Sequence, residues 1–165
     1  MLKVEAARER MTDISPSLEF KALPVFYTEE NADLIDLSEY DYIIDAIDTV
    51  KSKLLLCEKA YNLGVPIISS MGAGNKLDPT AFRVSDVSKT SVCPLARVMR
   101  AELKRRGIKG IKCVWSDEAP TVRVAEDDFS PKTRHAPASI ATVPSVAGLI
   151  IASEVIKDLC AKTED

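Results

Sequence analysis

The sequence predicts an α/β domain, a mixed and mainly parallel β-sheet with helices on both faces. Helix-like and strand-like segments alternate with short connections as far as Gly74, the pattern of parallel strands joined by helical crossovers. Tyr42-Ile43-Ile44 is an apolar, β-rich run and reads as a strand buried within a parallel sheet. After Gly74 a strand-like segment alternates in polarity, so further strands are expected to extend the sheet in antiparallel fashion.

In chain order, residues 3–13 read as a helix with Val4, Ala7 and Met11 on its apolar side, stopped by Pro16. Residues 18–23 alternate like a strand. Residues 28–35 read as a short helix capped by Thr28, with Glu29 and Glu30 suited to its first turn. Residues 42–47 form the buried strand, expected inside the sheet rather than at its edge. Residues 50–62 form a helix with Leu54, Leu55, Cys57 and Tyr61 as apolar positions and Gly64 as its C-terminal cap. Residues 65–71 are the next strand, and Gly72-Ala73-Gly74-Asn75 is a tight turn. Residues 82–87 read as a half-exposed strand, 95–106 as a helix ended by Gly107, and 111–116 as another strand. Residues 117–143 carry Pro120, Pro131 and Pro137 and read as a crossover loop, long enough to be functional. A last helix starts near Pro144, a residue suited to a first helical turn. Residues 1–165 thus read as a single domain.

Composition narrows the function. A net charge of -3 over 165 residues gives no general attraction for nucleic acid, so an RNA would need a local basic patch. Lys104-Arg105-Arg106 with Lys109 and Lys112 is the obvious candidate, though cations also suit a helix C-terminus. Cys57, Cys93, Cys113 and Cys160 are scattered without a Cys-x-x-Cys pair, which argues against structural zinc. The absence of a signal peptide makes a reduced, cytoplasmic setting the expectation. The apolar stretch 146–159 is interrupted by Ser153, Glu154, Lys157 and Asp158 and is too short and polar to span a bilayer.

The chemistry concentrates at Asp45-Ala46-Ile47-Asp48. Two carboxylates follow a strand at its carboxyl edge, where open α/β sheets bind ligands. Taken alone, Asp45 reads equally as a satisfied strand-end group and Asp48 as a helix cap. Gly72-Ala73-Gly74 has the residue type of a phosphate loop but lacks the third glycine, and reads as well as a turn needing permissive backbone angles.

Four ordered motifs carry a resemblance. These are Asp45-Ala46-Ile47-Asp48, the Gly72-Ala73-Gly74 to Asp78-Pro79-Thr80 run, Ser88-Lys89-Thr90 to Pro94-Leu95-Ala96, and Cys113-Val114-Trp115-Ser116 with Glu118. With the lysine-led segment Leu2-Lys3-Val4-Glu5, the chain resembles the Rossmann-like adenylating domain of the E1-like (ThiF/MoeB/HesA) superfamily over nearly its whole length. It is most similar to the tRNA threonylcarbamoyladenosine dehydratase branch.

The resemblance implies ATP and Mg²⁺ as cofactors. It places Lys3 on the ATP phosphates and Asp48 on the magnesium, as the catalytic carboxylate. Asp45, Lys53, Gly72 and Gly74 fall among its cofactor-binding positions, Lys53 reading equally as an exposed helix lysine. Ser116 and Glu118 fall on the substrate side or serve as strand-end turn residues. The implied reaction adenylates the threonylcarbamoyl carboxylate of a tRNA adenosine and closes a ring with loss of water. That chemistry needs no thiol nucleophile, so Cys113 reads as a core residue; His135 reads as a surface residue. In the family a strand, a glycine-rich turn, an acidic ribose ligand and an arginine precede the lysine helix. None lies within these residues, so the domain is expected to be N-terminally incomplete and, alone, to bind ATP weakly or not at all. A homodimer and a sulfur-relay protein partner are implied as well. Activation of a sulfur-carrier protein is the alternative, opposed by the lack of cysteine in residues 117–144. A non-catalytic dimerisation or partner-binding module is the other.

Overall fold

A computed structural model describes residues 1–121 and 137–161. It contains four strands, β1 Ile43–Asp45, β2 Ile67–Ser70, β3 Phe82–Asp86 and β4 Lys112–Ser116, and four α-helices, α1 Lys3–Ile14, α2 Val50–Leu63, α3 Pro94–Arg105 and α4 Thr142–Ala161. The sheet order is β1-β2-β4-β3, with β1, β2 and β4 parallel and β3 antiparallel to β4. The expected mixed sheet is present.

The helices end where local chemistry dictates. Gly64 closes α2 at φ +69°, and Gly107 follows α3 at φ +71°, left-handed conformations that cost glycine least. Pro94 opens α3, where its missing N–H deprives no helical hydrogen bond.

Alternation along the strands divides the core in two. Ile43, Ile67, Cys113 and Trp115 face α2 and α3, packing with Leu54, Cys57, Ala60, Met99 and Leu103. Ile68 and Val114 face the other way, with Phe82, onto Val143, Ala147 and Ile151, which recur every fourth residue along α4. Tyr42 Oη donates to Asp158 at 2.7 Å, and Lys112 Nζ donates to both Asp158 carboxylate oxygens at 2.7 Å. This cluster pins the last turns of α4 across β1 and β4.

Three expectations are corrected. Residues 18–23 form no strand; Leu18 and Phe20 are exposed, the Leu18 N–H turns back to the Ser15 carbonyl at 3.0 Å, and among the described residues no strand pairs with the segment, so alternation alone does not suffice. Residues 28–35 form only a 3-10 turn at Ala32–Leu34, which starts after Asn31 rather than Thr28; the Asn31 side chain accepts the Thr28 N–H at 2.8 Å. So short a segment cannot recover the cost of helix nucleation. The strand over residues 42–47 shortens to β1 and, among the described residues, stands at the edge of the sheet with β2 as its one partner and Ile44 half exposed. Helix α1 contributes no buried residue.

Candidate active site

The carboxyl ends of β1 and β2 open onto a cleft of about 600 Å³, within the range of small-molecule sites. Ala46, Ile47 and Asp48 form one wall, Ser70 to Lys76 a second, and Cys93, Pro94 and Leu95 at the start of α3 a third. Pro120, Pro137 and the first turns of α4 complete the rim. Most of the lining is apolar.

Asp48 is exposed and is the only carboxylate among the described residues of this lining. Its recorded side-chain contact is Thr49 Oγ1, 3.4 Å away, so the group is open to a ligand. Lys76, the cation of the lining, is almost wholly buried and donates to the Glu118 carbonyl oxygen.

Asp45 and Lys53 lie beneath the cleft rather than in it. Both are fully buried, with Lys53 Nζ 2.7 Å from Asp45 Oδ2. The ammonium also donates to Ser69 Oγ at 3.2 Å and to the Ser70 carbonyl at 2.9 Å, filling its three donor positions. Asp45 Oδ2 accepts the Ser69 hydroxyl at 2.6 Å, and Oδ1 accepts the Ile47 N–H at 3.0 Å. No donor is left on Lys53 for a nucleotide, and the exposed-lysine alternative fails too. The pair fixes the loop that presents Asp48.

Gly72 and Gly74 do line the cleft, but neither has a positive φ; the left-handed residue of the turn is Asn75, at φ +56°. Close approach is what requires Gly74, since a Cβ there would lie 2.5 Å from Pro137 Cβ. Asn75 then ties Thr121 to Ala138. Its N–H donates to the Ala138 carbonyl at 2.7 Å, its Oδ1 accepts the Ala138 N–H at 2.9 Å, and its carbonyl accepts the Thr121 N–H at 2.7 Å. Sequence reading missed Asn75; an asparagine after Gly-x-Gly, a type tolerant of the left-handed region, was the available signal.

Lys3 is exposed on α1 and does not border the cleft. Ser116 is buried and its Oγ accepts the Glu118 N–H at 3.2 Å. The Glu118 carboxylate accepts the N–H groups of Leu77, at 2.9 and 3.1 Å, and Asp78, at 3.0 Å. Both residues hold the 76–78 turn in place, and neither lines the cleft. Cys113 is fully buried, and burial, reinforced by the negative charge of Asp86, pushes its thiol up to about 12. His135 and the middle of the crossover fall outside the described residues. Among the described residues no three His, Cys, Asp or Glu side chains cluster as a metal cage.

The family model for ThiF proteins matches residues 1–165. The chain belongs to the ThiF family. It is 43% identical over 166 residues to tRNA threonylcarbamoyladenosine dehydratase of Bacillus subtilis, a match covering 95% of this chain and 65% of that protein. With tRNA threonylcarbamoyladenosine dehydratase 2 of Saccharomyces cerevisiae it shares 36% identity over 97% of this chain and 40% of the relative. Among solved structures, E. coli tRNA N6-threonylcarbamoyladenosine dehydratase in complex with AMP superposes with a TM-score of 0.84 at 29% identity, covering 98% of this chain and 65% of that one. The complex of the same enzyme with ATP gives a TM-score of 0.80. The chain therefore spans just under two thirds of the length of these bacterial relatives. Among its described residues no helix is long and apolar enough to cross a membrane.

Proposed function

We propose that the chain carries part of the adenylation centre of an ATP-dependent dehydratase that cyclises threonylcarbamoyladenosine in tRNA. The observation that supports this most directly is Asp48, an open carboxylate in an otherwise apolar cleft at the carboxyl edge of a ThiF-family sheet. The donor set suits Mg²⁺, which takes one or two carboxylates and completes its shell with phosphate oxygens and water. The apolar walls suit a nucleoside. Nothing in the described lining offers a free cation to the polyphosphate, because Lys76 is engaged with Glu118. ATP would supply the leaving group that a free carboxylate lacks. Asp48 holds the charge that orients it, and Asp45 with Lys53 keeps that loop in register from below. Lys3, exposed on α1 outside the cleft, is proposed to reach the phosphates when α1 closes on the nucleotide. A cytoplasmic setting accords with a tRNA substrate. Self-association is proposed through the exposed apolar side chains Leu2, Met11 and Ile14 around α1, and a sulfur-relay partner remains part of the reading.

The test uses the chain alone and the chain joined to the part of the Bacillus subtilis relative that lies outside the match. Each is supplied with Mg–ATP and tRNA bearing threonylcarbamoyladenosine. The joined protein is expected to convert the nucleoside with loss of one water, seen by mass spectrometry of digested tRNA. Pyrophosphate release that responds to a sulfur-carrier protein but not to this tRNA overturns the reading in favour of protein activation.

A further inference from the structure

A second cleft, of about 710 Å³, lies between the C-terminal half of α3, the turn at the end of β3, and residues 107–110 ahead of β4. It sits at the sheet edge opposite Asp48, since β4 begins there and the antiparallel β3 ends there. Its charged lining is one-sided. Lys89, Arg97, Arg100, Lys104 and Lys109 face it, against one carboxylate among the described residues, that of Asp86.

That carboxylate is already engaged, accepting the Ser88 N–H at 2.8 Å. None of the five cations is paired with a carboxylate among the described residues, whereas their sequence neighbours are: Arg105 pairs with Glu102, Arg106 with Glu58, and Lys112 with Glu154 and Asp158. The basic run noticed in the sequence therefore splits. Arg105, Arg106 and Lys112 are spent on the protein's own carboxylates, while Lys104 and Lys109 join three cations from elsewhere. Arg97, Arg100 and Lys104 lie at i, i+3 and i+7, one stripe of α3. Arg100 is further fixed by donating to the Thr90 carbonyl at 2.5 Å and to Thr90 Oγ1 at 2.7 Å. In a chain of net charge -3, like charges gathered without counter-ions are repulsive unless an anion joins them.

We infer that this cleft is a docking surface for the phosphodiester backbone of RNA. The inference rests on the proposed function for the choice of RNA, and on charge and concavity for the site. Helix α3 links the two clefts: its first residues line the Asp48 cleft and its later ones the basic cleft. Its 12 residues span about 18 Å. An RNA reaching the first cleft could thus run its backbone along α3 to the second.

The experiment measures binding of the full chain to an in-vitro transcribed tRNA over a salt series, independently of any turnover. Arg97→Glu with Lys104→Glu is compared with Arg105→Glu with Arg106→Glu, which changes net charge by the same amount on the same helix; Arg97→Ala with Lys104→Ala is a milder version, and circular dichroism checks folding. The first pair is expected to weaken binding about tenfold or more and to lower the salt slope by about two phosphate contacts, with the control pair near wild type. Equal losses in both pairs, or less than a twofold loss in the first, overturn the inference. So does inorganic pyrophosphate competing with wild type at the same site while tRNA does not depend on it, which marks a small-anion pocket instead. Because binding is read without catalysis, a chain that binds tRNA here while the joined protein never cyclises the nucleoside refutes the function and leaves the surface standing. A cyclising enzyme with unchanged binding in the first pair does the reverse.

Discussion

Lys53 Nζ lies 2.7 Å from Asp45 Oδ2, and neither side chain is accessible to solvent. With Ser69 Oγ and the Ser70 carbonyl the pair makes a closed hydrogen-bonded joint between β1, α2 and β2. Breaking one half of such a pair strands a buried charge. Lys53→Met is therefore expected to cost about 3–5 kcal/mol in urea unfolding. Adding Asp45→Leu should recover part of that loss, since the stranded carboxylate is then gone. A single Lys53→Met variant within 1 kcal/mol of wild type, roughly the effect of an ordinary surface change, contradicts this role for the pair.

Asp48 is expected to behave oppositely. In the joined protein, Asp48→Asn keeps the side chain's shape but removes the charge proposed to hold magnesium; capping is not at stake, because Thr49 rather than Asp48 stands at the start of α2. Pyrophosphate release should fall by about 100-fold or more while the unfolding midpoint stays within about 2 °C. Cys113→Ala should lose about 1–2 kcal/mol of packing and retain measurable turnover, because a thiol pushed up to about 12 is not a nucleophile at neutral pH. An inactive but folded Cys113→Ala variant beside an active Asp48→Asn variant would reverse the assignment.

Gly74→Ala meets Pro137 at a distance no side chain tolerates, so the crossover base must move. We expect a loss of about 1–3 kcal/mol. The amides of Asn75, Thr121 and Ala138 should exchange faster with deuterium, since their hydrogen bonds join the same clamp. Unchanged exchange at all three would mean that the Gly74–Pro137 contact does not support the clamp.

The cluster around Asp158 predicts a pH dependence. Its hydrogen bond from Lys112, then that from Tyr42, holds the Asp158 carboxyl below its usual value. A lowered folded pKa stabilises above the unfolded value and is lost as pH falls through the folded one, so this contribution disappears below about pH 4. For Lys112, burial opposes the charge, but the bonds to Asp158 and Glu154 outweigh it and raise the pKa. That contribution is complete below the unfolded value near 10.4 and is lost as pH rises through the folded one. Both side chains are about a third exposed, so the network is expected to be worth only about 1 kcal/mol. Asp158→Asn should flatten the acid limb of stability against pH by that amount; an acid limb identical to wild type rules the cluster out as its source.

By itself the sequence determined most helix ends and the resemblance to the family. Gly64, Pro94 and Gly107 mark helix ends through backbone constraints that need no tertiary partner. The ordered motifs pointed to the ThiF family, and the carboxyl-edge position of Asp48 follows from a strand-then-helix pattern alone. Residues 18–23 and 28–35 misled because a strand needs a partner and a short helix needs packing, neither of which local pattern supplies. The tertiary structure alone decided which charges are available. Asp45 and Lys53 look like ligands in sequence, yet β1, α2 and β2 converge to bury them on each other. Arg105 and Arg106 look like one basic run with Lys104, yet Glu102 and Glu58 take those two and leave Lys104 facing the basic cleft. Whether a charge is spent or free depends on partners up to 48 residues away along the chain, and only the fold brings those partners within reach.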